Sequence, residues 1–514
     1  MPKQTAPNFI DSIVEYFSPG AGLRRLHARQ VLDQVLASTS PYEADTPGRN
    51  RKFYSDRYSP NGLTQKSAIA IRTQARQLQR NHDVSRGIIR TMVNNIVGPN
   101  GIGVEFQPRR KDGTIHEDYA KALRDAWREH LIKPDVTRRH TGAKVQRLMC
   151  GTWIRDGESF AQELIGTIPG LRHSTKVPLS LEMFEADLVP YDYRAGTNTS
   201  QGIERNAWGE PTGYWVLKGH PSDSTSGTDM KRINASAVHH VALLDRIGQM
   251  RGISEFASII TRLEDIKDYE ESERIAAKIA AALTAYVKKT NPEGYQGANT
   301  DESGQAIPRS ISMAPGMVID NLAVGEEIGL IASDRPNPNL ITFRQGQLRA
   351  VAAGVGASYS SIARDYNGTF SAQRQELVEQ WVNYATLTDE FVGQFLQPWV
   401  ATFVLVADIS GAVPTPPDVM PGTADDAMFL AQSMPWIDPA KEAVAYLSLV
   451  RAGFASEVEV IRKRGGNPRD LLEQTDYWRK QAAEKGLVFT SNGAVPEAGG
   501  AGQTNQPNQP GDTQ

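Results

Sequence analysis

ISEFASIITRLEDIKDYEESERIAAKIAAALTAYVKK, residues 253–289, is the stretch that decides how this chain is built. Phe256, Ile259, Ile260, Leu263, Ile266, Ile275, Ile279 and Leu283 recur every three or four positions, and no proline interrupts them. That period is the signature of one amphipathic helix. A helix of about 35 residues would span roughly 50 Å, longer than a small domain is wide. Its apolar stripe must be covered along the whole length, and repeated copies packed side by side are a natural cover. Glu264, Asp268 and Glu271 follow at i, i+4 and i+7 on another face, and Lys288 and Lys289 close the run.

Working outward towards the N-terminus, the pattern is mixed. Residues 1–37 carry two weak helical patterns, and 38–66 are rich in turn formers and read as an extended arm. Ala68, Ile71, Ala75 and Leu78 open a helix from Ser67, with Arg72, Arg76 and Arg80 on a second face. A further helix follows Asp83 and stops at Gly98-Pro99. Strands are expected at 103–106, 158–165, 179–184, 212–218 and 237–243, with helices through Tyr119–Leu131 and Val145–Trp153.

Towards the C-terminus, 291–341 is rich in Gly, Pro and Asn with short apolar pieces, the mark of a small β insertion. A helix returns at 342–354, and a second long one runs from about Ser371 to Ala407. Between them lies SYSSIARDYNGTFS, residues 358–371, with few large aliphatics, which reads as a loop outside any core. Ser360, Arg364, Asn367, Gly368 and Thr369 are its candidate phosphate contacts, groups that grip a backbone without reading bases. Gly368 would supply backbone freedom, and Asp365 would offset Arg364. After Pro414, Pro416 and Pro417 comes a helical module from about 423 to 486, broken near Asp438-Pro439, Gly453 and Gly465-Gly466. Residues 1–50 and 493–514 have too few apolar side chains to offset the entropy of ordering.

Composition excludes several classes. With 56 Lys plus Arg against 59 Asp plus Glu, the chain lacks the basic excess of a tight DNA binder, yet suits a surface past which DNA slides. Cys150, the only cysteine, rules out an internal disulfide, and its setting in Leu148-Met149-Cys150 reads as helix packing. The N-terminus has no secretory pattern, and Phe395–Ala407, interrupted by Gln397-Pro398, falls short of a membrane span, so a cytoplasmic origin is expected. No Gly-Lys dipeptide exists to form a phosphate loop, and no H-E-x-x-H, C-x-x-C or G-x-S-x-G occurs. Neither a catalyst nor a cofactor is expected. Two groups stay open as metal ligands, Glu264/Asp268/Glu271 and His239-His240, with a solvated helix face and strand packing as the plainer readings.

Laid out this way, the chain resembles the lambda family of tailed-phage portal proteins, in order from about residue 50 to 488. The carriers begin with Tyr54, Ser55 and Arg57, the helix segment Ala75–Asn81, and Ile96-Val97-Gly98-Pro99-Asn100-Gly101-Ile102. Gly213-Tyr214-Trp215 through His220-Pro221 follows, then Gly248-Gln249-x-Arg251-Gly252. Next come Ala352–Tyr359, Asp365-Tyr366-Asn367, and Phe370-Ser371-x-x-Arg374. Asp438-Pro439-x-Lys441-Glu442 and Gly453-Phe454-Ala455-Ser456 complete the series, with Phe454 where the family usually has Leu or Ile.

The resemblance implies an α+β portal fold assembled as a ring of about twelve copies. It implies an arm (1–66), a mixed wing (67–252), a first stem helix (253–290), a β-rich clip (291–341) and a second stem helix (342–356). A channel loop (357–371), a long channel helix (371–413), a helical crown (414–490) and a tail (491–514) complete it. The implied role is a conduit at one capsid vertex for double-stranded DNA, not sequence-specific. The implied partners are the terminase large subunit, the major capsid protein and head–tail neck proteins, with no membrane. Glu264, Asp268, Glu271, Lys288 and Lys289 would line or border the channel. The rival reading is another virion component, or a metal-dependent nuclease using Glu264, Asp268 and Glu271.

Overall fold

The computed structural model describes residues 19–20, 27–28, 58–223, 229–281, 285–289, 326–330, 339–434 and 438–487. The arm at 38–57, most of the clip and the tail after 487 therefore lie outside the described residues. The chain divides into two units, Met1–Gly62 and Leu63–Gln514. In the first, residues 19–20 and 27–28 are helical, and Pro60 opens a helix that Ser59 caps by accepting from Gly62 N at 3.1 Å.

That helix, α1 (Pro60–Asn81), starts earlier than expected because Pro60 suits a first helical turn, where its missing N–H costs nothing. α2 (Asp83–Ile96) follows directly, its buried face made of Val84, Ile88, Ile89, Met92, Val93 and Ile96. Strand β1 (Gly103–Phe106), helices α3 (Glu117–His130) and α4 (Gly142–Asp156), and strands β2 (Glu158–Ile165) and β3 (Leu179–Phe184) come next. Cys150 is fully buried on α4, and burial pushes its thiol pKa up, so it packs as a small apolar residue.

Four short strands, β4 (Thr199–Ser200), β5 (Ile203–Arg205), β6 (Pro211–Leu217) and β7 (Met230–Asn234), make one antiparallel sheet in sequence order. Strand β8 (Val238–Ala242) instead joins β2, giving a second sheet ordered β3-β2-β8. On β8 the two adjacent histidines serve packing. His239 lies edge-on to Phe395 with Nε2 2.8 Å from Glu163, and His240 stacks on Phe160 with Nε2 3.1 Å from Glu158.

The expected single helix over 253–290 is corrected. A 3₁₀ turn at Glu255–Ser258 leads into α5 (Ile260–Ala281), 22 residues and about 33 Å long. Residues Ala285–Lys289 then form strand β9, paired antiparallel with β10 (Glu326–Leu330). Tyr286 and Val287 favour an extended chain, and a partner forty residues away supplies the ladder that a helix reading cannot foresee.

After α6 (Leu340–Gly354) and the short α7 (Tyr359–Ala363) comes α8 (Phe370–Phe391). A π turn at Val392–Leu396 joins it to α9 (Gln397–Ile409) without a break. The long helix expected from about Ser371 to Ala407 runs on through Pro398, because Gln397 N bonds back to Val392 O, shifting the ladder by one residue before the missing donor. The 40-residue span Phe370–Ile409 is long and apolar enough to cross a membrane, but half of its most apolar window is buried inside the protein. There Trp399 meets Trp127 and Phe395, and Phe391 meets Trp153, in the main core.

Strand β11 (Ala427–Leu430) pairs with β1, so the helical module expected from about 423 begins instead at α10 (Pro439–Arg451). Helices α11 (Glu457–Lys463) and α12 (Pro468–Glu484) complete the chain. They are held by ion pairs rather than by a core: Arg462 and Arg469 both reach Glu105, at 2.9 and 2.7 Å, and Arg124 meets Asp470 at 2.9 Å. Burial would raise the Glu105 pKa, but the Arg462 guanidinium bonded to it brings it below its ordinary value.

Candidate nucleic-acid interface

The segment between α6 and α8 is built from short polar side chains that satisfy one another. Ser358 caps α7 by accepting from Ser361 N at 3.2 Å, while its own N–H donates to Gln380 Oε1 at 3.0 Å. Glu376 of α8 receives both the Ser360 N–H, at 3.1 Å, and the Ser360 hydroxyl, at 2.7 Å. These bonds pin α7 onto α8, and they correct the reading of Ser360 as a channel contact. Ser360 and Ile362 are buried in a helix, because hydrogen bonding makes a serine-rich turn a packing element.

The exposed tip is therefore shorter, residues 364–369. Arg364 ends α7 in the left-handed region at φ 55°, and Arg364, Tyr366, Asn367, Gly368 and Thr369 are all solvent-exposed. Thr369 caps α8 by accepting from Ala372 N at 3.3 Å. Asp365 does not neutralise Arg364. Its carboxylate accepts from Tyr359 Oη at 2.9 Å, Gln345 Nε2 at 3.4 Å and Asn367 N at 3.2 Å, so it braces the loop from within. The Tyr359 bond, with the others, lowers its pKa. Gly368 is not in the left-handed region, so the unusual backbone falls on Arg364. Behind the tip lies a cleft of about 800 Å³ lined by Arg349, Tyr359, Asp365, Glu376 and Gln380 among others.

Helix α5 stands beside this segment through α6. Arg262 Nη1 donates to Gln347 Oε1 at 2.6 Å, Tyr269 packs on Phe343 with centroids 4.9 Å apart, and Arg344 pairs with Glu270. Glu264, Asp268 and Glu271 are exposed along one face. Residues i and i+7 are separated by about 10 Å of helical rise, too far to converge on one ion. Among the described residues, the group whose ligand atoms do converge, within 4.8 Å, is Glu185, Asp187 and His220. Arg72 and Arg76 already occupy that group, Arg76 reaching Asp187 at 2.7 Å and Glu185 at 3.2 Å. Lys288 and Lys289 lie on β9 in register with Glu327 and Glu326.

What sequence reasoning noted without explaining is the motif before α5. Arg251 is fully buried and donates to Glu158 at 2.6, 2.8 and 3.0 Å. It also donates to the carbonyls of Gln201 at 2.8 Å and Val189 at 3.0 Å, and its guanidinium lies 3.9 Å over the Tyr191 ring. Tyr191 Oη and Gly252 N donate to the same carboxylate at 2.9 and 3.2 Å. Burial alone would raise the Glu158 pKa, but Arg251 holds it well below the usual carboxylate range. A Cβ on Gly252 would lie 1.9 Å from Gly157 O, so the two backbones cross where only glycine fits. The root of α5 is thus fastened to β2.

Comparison with known proteins follows from this layout. The family described as phage portal protein, lambda family, matches residues 46–387. The probable portal protein of Halomonas phage phiHAP-1 is 22% identical over 419 residues, 79% of each chain. Portal protein B of Escherichia phage lambda is 22% identical over 441 residues, 78% of this chain and 81% of that one. A chain from the virion of a native gene transfer agent particle is similar at TM-score 0.43 and 12% identity, covering 82% of this chain and 97% of that one. The protein is of the portal class, a structural component of a phage virion and not an enzyme. Within that class, the chain belongs to the lambda family of phage portal proteins.

Proposed function

We propose that copies of this chain form a ring, about twelve-fold, at one capsid vertex, through which double-stranded DNA is packaged and later ejected. The observation that carries this reading is the 364–369 tip, exposed at its end yet braced from behind by Ser358, Ser360, Asp365, Glu376 and Gln380. A rigidly backed, polar tip with one unneutralised arginine makes weak phosphate contacts, which let a polymer with one charge per about 1.7 Å pass without being trapped. The acidic face of α5 borders the channel and disfavours lasting contact with phosphate, and Lys288 and Lys289 follow beyond it on β9, on alternate faces and in register with Glu327 and Glu326. Exposed apolar residues on the long helices, Ile275 on α5 and Val382 on α8, support lateral packing between copies.

In this reading residues 291–341 form the clip that docks the terminase large subunit and later the neck proteins. Residues 414–490 form the crown, and the major capsid protein surrounds the wing. Assembly takes place in the host cytoplasm. Electron microscopy of the purified protein tests the ring, which should appear as discrete closed particles. Arg364→Glu, or deletion of 367–369, should leave rings intact while impairing DNA packaging or retention. Normal packaging and retention in both variants would remove the tip from the DNA path.

A further inference from the structure

The chain as a whole carries slightly more acid than base, 59 Asp plus Glu against 56 Lys plus Arg. Two loops beside β3 break that balance. Residues 131–144 hold Lys133, Arg138, Arg139 and Lys144 against one carboxylate, Asp135, and residues 166–178 hold Arg172 and Lys176 against none. All six cations are exposed, whereas Asp135 is buried. Its carboxylate is spent inside the loop, accepting from the Thr137 hydroxyl and, at 3.0 Å, from His140 N. On the neighbouring strands Glu163 is taken by His239 at 2.8 Å and Glu182 by Lys231 at 3.3 Å. Counting the exposed Glu129 at the end of α3 as well still leaves six cations against two carboxylates.

The fold brings the two loops together at the edge of one sheet. β3 is an outer strand of the β3-β2-β8 sheet, and residues 134–136 run beside it, Leu181 N donating to Pro134 O and Val136 N to Leu181 O, each at 2.9 Å. Ser174 Oγ donates to Lys133 O at 2.6 Å, which sets Lys133 beside the second loop, with Arg172 and Lys176 two residues to either side of that bond. Gly166 N donates to Pro178 O at 2.8 Å, and His173 Nε2 lies 2.7 Å from Gly166 O, closing this loop on itself. In the first loop Arg138 N donates to Asp135 O at 2.9 Å and Arg138 is held at φ 56°, a left-handed backbone that residues other than glycine rarely adopt. Both loops are fixed, and the charge they present is concentrated on one surface.

An exposed excess of one sign at this density fits a polyanion. Lysine is depleted from protein–protein interfaces, whereas lysine and arginine together are the usual partners of backbone phosphate. Neither loop contains Phe, Tyr or Trp, on which unstacked bases would lie, so the fit is to a duplex rather than to a single strand. We propose that Lys133, Arg138, Arg139, Lys144, Arg172 and Lys176 form a surface that binds the phosphate backbone of double-stranded DNA, a second contact separate from the 364–369 tip. The tip is braced by α6 and α8, while this surface is carried by β3 and the facing ends of α3 and α4. The proposal rests on the conduit reading for the presence of duplex DNA beside the protein.

Fluorescence anisotropy of the full chain with a labelled duplex, read as affinity against KCl concentration, tests it. Two variants each remove two cations, Arg138→Asn with Arg139→Gln, and Lys133→Gln with Arg172→Gln; asparagine at 138 tolerates the positive φ. Each phosphate contact contributes about 0.9 to the slope of log affinity on log salt, so each variant should flatten that slope by about 1.8 and weaken binding about tenfold or more near 0.1 M salt, with unchanged circular dichroism. Arg364→Gln is the control at the tip. Unchanged slope and affinity in both double variants overturn the surface, and a loss confined to Arg364→Gln overturns it while leaving the conduit reading in place. Double variants that keep their duplex affinity but lose binding to a poly-glutamate peptide assign the surface to an acidic protein and overturn the proposal as well. Wild-type chain that binds duplex with the expected salt slope but forms no ring by electron microscopy removes the conduit reading and leaves the surface standing.

Discussion

Replacing Arg251 by Met removes a guanidinium of similar length and leaves the Glu158 carboxylate buried with only Tyr191, His240 and Gly252 as partners. Breaking a fully buried ion pair from one side costs about 3–5 kcal/mol. The carbonyls of Val189 and Gln201 lose their donors as well, at roughly 1 kcal/mol each once partial relaxation is allowed. The expected loss is about 5–7 kcal/mol, a large share of the roughly 5–15 kcal/mol that holds a typical domain. Urea unfolding of the monomeric subunit, followed by fluorescence of the buried Trp153 and Trp399, measures it.

Two further readouts separate charge from packing. Glu158→Leu combined with Arg251→Met removes the orphaned charge and should recover about 2 kcal/mol relative to Arg251→Met alone. In the single variant the unpaired, buried Glu158 has its pKa raised, so its folded form favours the proton. The deficit should then shrink as pH falls below the raised value and be largest above it. A loss under about 1 kcal/mol, or a double variant as unstable as the sum of its parts, would refute the anchoring role.

Glu376→Ala frees the Ser360 amide and hydroxyl and should make trypsin cut after Arg364 faster than in the wild type; an unchanged rate would show that this carboxylate does not hold the tip. Burial, then Asp245 and Glu390, push the Glu255 pKa up to about 7, so ionising it costs stability as pH rises from about 4.5 through that value. Glu255→Gln should therefore stabilise the protein by roughly 1–3 kcal/mol at pH 8 and leave it unchanged near pH 4, as thermal unfolding at the two values would report. Burial, with His173 nearby, lowers the His130 pKa to about 3 from 6.5, so its contribution is intact above pH 6.5 and is lost as pH falls towards 3. His130→Phe, packed between Trp127 and Phe403, should remove about 2 kcal/mol of acid sensitivity at pH 5, and an unaltered stability profile between pH 7 and 5 would contradict this.

Local periodicity was enough for elements whose stability is written within ten or twenty neighbouring residues. The strand at Leu179–Phe184, the helix stop at Gly98, the paired histidines on opposite strand faces, and the second long helix all follow from spacing and turn chemistry. The ordered series of family motifs was legible for the same reason, since it needs no contact to be known. Among candidate site residues, Arg364, Asn367 and Thr369 could be found as a polar, aliphatic-poor stretch between two helices. Glu376, Gln345 and Gln380, which brace that stretch, could not, because on a helix they look like ordinary surface residues.

The chain by itself determined the absence of a phosphate-loop motif, the near balance of charge, the helical periods and the family. Tertiary structure alone decided that Ala285–Lys289 leaves the helix to pair with Glu326–Leu330, and that Ala427–Leu430 returns to β1 across more than three hundred residues. It also decided that Ser360 turns inward and that Arg251 is buried whole. In each case the deciding energy comes from a partner remote in sequence, a ladder or a carboxylate, and such partners leave no trace in local spacing.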